Sequence, residues 1–225
     1  MSEAPLVEIE NLKVVFYGDA GRVTHAVDGV DLTVNARFLS GFLLRGGVST
    51  GRVTQNDCAI VLAHPEVTVV TTVGTVQSTA MCDIATPFLT QAKLLTTYAV
   101  PRIGVDVAAT FQSLPGPLFA ANFVASNALV QPSLGRPLSG GAANTTVNLV
   151  TPGTMYGERL NQLDLRFTKA LKFGRERLRL NLDAYNALNG NAVRTVNNTY
   201  STASWLVPTG ILDPRLYKIS VQFDF

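Results

Sequence analysis

The sequence predicts an all-β fold: an antiparallel transmembrane β-barrel fragment of about six membrane strands with long loops, preceded by a short β-hairpin segment. Three observations carry this expectation. The stretch Arg215–Phe225 alternates apolar and polar residues without a break. The same period of two recurs in earlier segments, where a helix would show a period of about 3.6. The connections between those segments alternate between very short and long, as the turns and loops of outer-membrane barrels do.

Composition narrows the class further. Of the 225 residues 47% are hydrophobic and 15% charged, with a formal net charge of +2, so there is no basic field to hold nucleic acid. No run approaches the roughly 18 consecutive apolar residues of a membrane helix. A chain of this kind meets a bilayer as strands closed into a barrel, because lipid satisfies no backbone hydrogen bonds.

Residues 1–36 stand apart. Met1–Glu10 carries acids where a secretory signal needs basic residues followed by an apolar stretch, so no signal peptide is read in this chain. Leu6–Phe16 and Ala26–Val34 have the amphipathic pattern of a two- or three-stranded hairpin. These segments resemble the opening strands of ABC transporter ATP-binding subunits of the oligopeptide type, over about 34 residues. That family continues into a phosphate-binding loop, G-x-x-x-x-G-K-S/T. The five lysines here, Lys13, Lys93, Lys169, Lys172 and Lys218, never follow a glycine, which excludes ATP binding by that route. The junction is expected near Asn35–Phe38, leaving residues 37–225 as the second unit.

The membrane strands come next in order. Within Phe38–Thr50, Phe42, Leu44 and Val48 oppose Arg45 and Ser49. Leu89–Val100 sets Ala92, Leu94, Tyr98 and Val100 against Gln91, Lys93, Leu95 and Thr97. Val100-Pro101-Arg102 is a tight connection to a strand in which Ile103, Val105, Val107, Ala109 and Phe111 oppose Arg102, Asp106, Thr110 and Gln112. Leu163, Leu165 and Phe167 then oppose Gln162, Asp164, Arg166 and Thr168, and, beyond a turn at Lys172–Arg175, Leu178, Leu180, Leu182 and Ala184 oppose Arg177, Arg179, Asn181 and Asp183. A helix is the rival for Leu160–Ala170 alone, where apolar spacings of three and four also fit. In the last strand Tyr217, Ile219, Val221, Phe223 and Phe225 share one face, opposite Lys218, Ser220, Gln222 and Asp224. The expected strands are about 38–49, 88–99, 102–112, 160–170, 176–187 and 215–225, each near the roughly 9 to 11 residues that a tilted strand needs to cross a bilayer.

The loops hold the remaining signals. Gly47-Val-Ser-Thr-Gly51 matches the G-x-S-x-G of a hydrolase elbow, but Arg52–Cys58 is not helical and His64 comes too soon after it, so Ser49 reads as a lumen or rim hydroxyl. Cys58 and Cys82 lie in the expected loop 51–87. In an oxidising compartment such a pair forms a disulfide, with a gain of about 3 kcal/mol. Two cysteines and His64 fall short of a closed tetrahedral metal site. The charged set Lys93, Arg102, Asp106, Asp164, Arg166, Arg177, Arg179, Asp183, Lys218 and Asp224 reads as cross-strand pairs solvating a polar interior, with a ligand path as the rival. Trp205 is either an interface anchor or a loop-packing residue.

With these pieces in place, residues from about 37 to 225 resemble the carboxy-terminal β-barrel portion of a TonB-dependent outer-membrane receptor. The type is the Oar-like one with a carboxypeptidase-regulatory-like domain. The resemblance rests on Leu44–Arg52, Thr86–Leu95, Thr110–Pro117, Pro152–Arg166, Tyr185–Asn189 and the last strand. It implies an outer-membrane location if the chain is exported, and contact with outer-membrane lipid and with the barrel-assembly machinery. That machinery would read Tyr217, Ile219, Val221, Phe223 and Phe225 as an insertion signal. Large transporters of this kind have about 22 strands around a plug, so six strands without a plug imply part of a wall, a fragment or a fusion that is not transport-competent alone. Remaining barrel strands or copies of the chain would complete it. No catalytic, cofactor-binding or metal residue is expected, and no enzyme. Two rival readings stay open, a remnant of an ABC ATP-binding subunit and a soluble β-sandwich binding module.

Overall fold

A computed structural model of the chain describes residues 7–18, 22–38, 41–63, 69–71, 74–76, 79–174, 176–201 and 203–225. Residues 1–6, with Glu3, as well as His64 and Arg175, lie outside the described residues. The architecture is all-β and antiparallel. Eight strands pair in sequence order: β1 (Val7–Gly18), β2 (Arg22–Arg37), β3 (Phe42–Asn56), β4 (Leu89–Val100), β5 (Val105–Leu114), β6 (Leu160–Phe173), β7 (Glu176–Tyr185) and β8 (Leu216–Asp224). A short ninth strand, Asp83–Ala85, pairs with the end of β3. β1 and β8 are the edges of this sheet, and no pairing joins them among the described residues.

The meander is longer than the period-two segments alone suggest. The N-terminal hairpin β1–β2 is continuous with the rest of the sheet, because β2 pairs with β3 from Ala26↔Thr54 to Arg37↔Leu43. β3 itself runs on to Asn56, past the expected limit at about 49. Its glycines explain why the alternation fades: a β-carbon on Gly46 would meet the Lys93 carbonyl and the Leu94 Cα, and one on Gly47 would lie 2.6 Å from the Leu32 carbonyl oxygen. Close approach of neighbouring backbones excludes side chains there.

Other strand limits differ from the sequence expectation too: Lys172 and Phe173, expected in a turn, pair with Arg177 and Glu176 as the end of β6. The strand expected at 102–112 begins at Val105, because Pro101–Gly104 form the turn. Gly104 takes φ 58 and its N–H donates to the Val100 carbonyl at 3.0 Å, a conformation open to glycine. Arg102 and Ile103 therefore belong to a turn and not to opposite strand faces. The strand expected at 176–187 stops at Tyr185, because Asn186 turns into the left-handed region at φ 48. The rival helix over Leu160–Ala170 is absent, since that stretch is the first part of β6.

The short connections 38–41, 101–104 and 174–175 share one end of the sheet, while the connections 57–88, 115–159 and 186–215 lie at the other. Short elements fold within the long connections. They include α1 (Cys58–Ala63), α2 (Asn127–Leu134) and the two-stranded pairs 122–126/144–148 and 193–196/208–211. α2 is framed by its own caps: Ser126 Oγ accepts from the Leu129 N–H at 3.3 Å, and Gly135 ends the helix at φ 70. Most fully buried apolar residues, Val61, Cys82, Ile84, Ala121, Ala125 and Leu212, sit in these connections and not between layers of the main sheet.

Candidate functional site

The main sheet leaves a broad apolar face exposed. On β8, Tyr217, Ile219, Val221 and Phe223 are 60, 79, 61 and 51% exposed, and Phe225 stacks on Phe223 at 6.1 Å. Val48, Leu94, Tyr98, Phe167, Leu180 and Leu182 are exposed on the same face. Register makes it continuous: Phe42, Tyr98, Val107, Phe167, Leu182 and Ile219 form one row across six strands. A patch of this kind far exceeds the scattered exposed apolar residues of ordinary soluble surfaces.

The opposite face is polar and cross-linked by side chains. Arg166 forks onto Asp183 at 2.5 and 3.1 Å, and Asp183 is only 2% exposed. Next to this row, Thr168 Oγ1 donates to Asn181 Oδ1 at 2.8 Å and Asn181 Nδ2 to Ser220 Oγ at 3.3 Å. Gln112 Nε2 donates to Gln162 Oε1 at 2.9 Å, and Gln162 in turn donates to Asp164 at 2.9 Å. Arg179 approaches Asp224 at 3.7 Å. Of the charged set, Arg166 with Asp183 and Arg179 with Asp224 thus meet across strands. Ser49 lies in mid-strand on β3, opposite Asp31 and Gln91, with no turn or helix after it; the strand–turn–helix context of a nucleophile elbow is not formed.

The aromatic residues keep step with the short turns. Phe38, Phe42, Tyr98, Phe173, Phe223 and Phe225 all lie near that end, with ring centroids 5.6 Å apart for Phe38–Phe42 and 6.4 Å for Phe42–Tyr98. The turn line is oblique to the register rows. Phe42 shares its row with Leu182 of β7, whereas β7 reaches its turn at Glu176, six residues further along. Six residues at about 3.3 Å over four interstrand gaps of about 4.8 Å correspond to strands tilted by about 45°. Lys169 marks the same border. Its register neighbours Val105 and Leu180 belong to the apolar face, and its Nζ donates to the Ile103 carbonyl in the 101–104 turn, as a long cation does at the edge of an apolar band.

At the far end the connections are fastened to the sheet and to one another. Cys58 and Cys82 form a disulfide with Cα atoms 4.8 Å apart. Thr86 and Val53 bond reciprocally: the Thr86 N–H donates to the Val53 carbonyl and the Val53 N–H to Thr86 Oγ1, both at 2.9 Å. Asn186 is buried, and its Nδ2 donates to the carbonyls of Gly190 and Asp213, each at 2.8 Å. Its Oδ1 accepts from the Gly190 N–H at 2.9 Å, and its own N–H donates to Asp164 Oδ1 at 2.8 Å. Trp205 resolves as a loop-packing residue: Nε1 donates to the Ala120 carbonyl at 3.0 Å and Tyr200 meets its ring edge-on at 5.3 Å. Burial pushes the Tyr156 phenol above its ordinary range.

No protein-family model and no curated protein matches the chain. Among the described residues, no group of three or more His, Cys, Asp or Glu gathers into a metal-binding cluster, and no helix is long and apolar enough to cross a membrane. Sequence reasoning missed the turn-end aromatic line, which joins residues more than a hundred positions apart, and the role of Asn186. The signal for Asn186 was its place between a period-two strand and Gly190, where an Asn tolerates the left-handed region.

Proposed function

We propose that this chain forms part of the wall of an outer-membrane β-barrel of the TonB-dependent receptor type, with a structural role and no catalysis of its own. The apolar face contacts lipid, the polar face lines the lumen, the short turns lie on the periplasmic side and the long connections form the outer loops. One observation carries the reading: an apolar face left exposed across the strands while the opposite face is polar and cross-linked, with Asp183 buried beneath the fork of a half-exposed Arg166 and Thr168 bonded to Asn181 beside it. The tilt of about 45° and the aromatic line at the short-turn border support it, because both are required of strands that cross a bilayer.

The apolar row of β8 serves as the segment read by the assembly machinery. The edges β1 and β8 pair with further strands or with a second copy, since hydrocarbon leaves no partner for free N–H and C=O groups. Reading the sheet as half of a soluble β-sandwich would require a second sheet over the apolar face, and none covers it among the described residues.

Cell fractionation tests the proposal. The full chain, fused behind a secretory signal, is expected in the outer-membrane fraction, with an unheated gel band that shifts on boiling. Recovery as a soluble monomer would refute it.

A further inference from the structure

We propose that the polar face near the short turns holds an oxoanion site that takes a phosphate-bearing solute. Complementarity on this face runs out toward the turn, where Ala170 faces Arg179 in the row before the last. Arg166 meets Asp183, and Thr168 meets Asn181, which meets Ser220. In the row nearest the turn Lys172 stands directly opposite Arg177. Like charges in opposed positions repel across a strand pair.

The available carboxylates do not resolve this opposition. Asp224, the register neighbour of Arg177 on β8, accepts from Gln222 at 2.8 Å and lies 3.7 Å from Arg179. Asp183 is held by Arg166. Among the described residues neither Lys172 nor Arg177 has an ion pair. Together with Arg166 and Arg179 they line one groove of about 480 Å³, in which Asp106 is the one carboxylate among the described residues. Asp106 belongs to the row of Thr168, four positions along the strand from Lys172.

Two cations facing each other across about 5 Å of sheet, with a third beside them, suit a tetrahedral oxoanion. The arginines offer forked donors and the lysine a point charge. A bound anion replaces repulsion with two charge-assisted contacts, so the site gains on binding what the empty sheet loses. The groove opens on the face opposite the apolar rows, which assigns the phosphate to a solute and not to a lipid headgroup. The cations come from β6 and β7 alone, whereas the choice of a solute over a lipid headgroup rests on the proposed membrane orientation.

Inorganic pyrophosphate is the probe, titrated calorimetrically into the full chain refolded in uncharged detergent, with heat-modifiable mobility reporting folding separately. Binding is expected, weakening as salt rises. Lys172→Gln with Arg177→Gln should weaken it at least tenfold, and Arg136→Gln, in an exposed loop, should leave it within twofold. Lys172→Glu gives Arg177 an internal partner and should both abolish binding and raise the thermal midpoint. Absence of binding to folded protein, or binding that survives Lys172→Glu, would overturn the site. Phosphatidylglycerol added to the micelles is expected not to displace pyrophosphate, and displacement would overturn the solute assignment.

Discussion

Replacing Asn186 with Ala should destabilise the fold far more than an ordinary turn substitution. The side chain makes three hydrogen bonds, two as donor to the Gly190 and Asp213 carbonyls and one as acceptor from the Gly190 N–H. Each is worth about 1 kcal/mol net, and more where a buried partner is left unmatched. The backbone adds a further cost: at φ 48 an alanine β-carbon meets a conformation that disfavours it by about 1–2 kcal/mol. The expected loss is therefore about 4 kcal/mol. Asn186→Gly removes the same three bonds without the backbone penalty, so its loss should be smaller by about 1 kcal/mol. Trp205, the single tryptophan, packs in the same group of connections and reports the change by fluorescence during urea unfolding in detergent micelles. A loss below about 1 kcal/mol for the Ala variant, or a Gly variant no better than Ala, would refute this account of the turn.

The remaining predictions concern the faces and the loops. Ile219→Lys should cost about 2–4 kcal/mol if that face meets lipid near mid-bilayer and should lower outer-membrane recovery, while Ser220→Lys, on the polar face, should do neither; equal effects of the two would contradict the assignment of faces. Cys58→Ser with Cys82→Ser should lower stability by about 3 kcal/mol and remove the sensitivity of the loop to reductant, monitored by protease nicking between residues 57 and 88. Gly46→Val places atoms against the Lys93 carbonyl and Leu94 Cα of the neighbouring strand; a loss of about 1–3 kcal/mol is expected in urea unfolding, and a neutral result would mean that β3 and β4 are not paired there.

The strands were legible wherever the polar–apolar alternation was unbroken. β7 and β8 carry it over most of their length and β6 over Gln162–Thr168, and their ends fall within a few positions of expectation. Legibility failed where a single residue overrides the period. Pro101 and Gly104 together take Arg102 and Ile103 out of the strand, although both fit its alternation. Gly46 and Gly47 blur the pattern of β3 because close backbone approach, and not side-chain polarity, selects them. α2 was not read, although Ser126 and Gly135 are its caps, because Pro132 inside it and its short length mask the helical period. Lys169 breaks the apolar row of β6, and only the Ile103 carbonyl of a turn 66 positions away explains it. On the polar face, which residues alternate was plain; which partner each one takes depends on register, and register is a property of the pair and not of either strand.

Because every strand of the eight-strand meander bonds to its neighbours in the chain, the fold is a linear array whose repeating unit is the hairpin. Loss or gain of one hairpin at either edge changes the number of strands by two and leaves every other pairing as it was. Such an array can be shortened, lengthened or joined to a foreign hairpin without relearning its register, and the antiparallel relation of its two edges is kept at every step. Parity, not size, is what this topology protects.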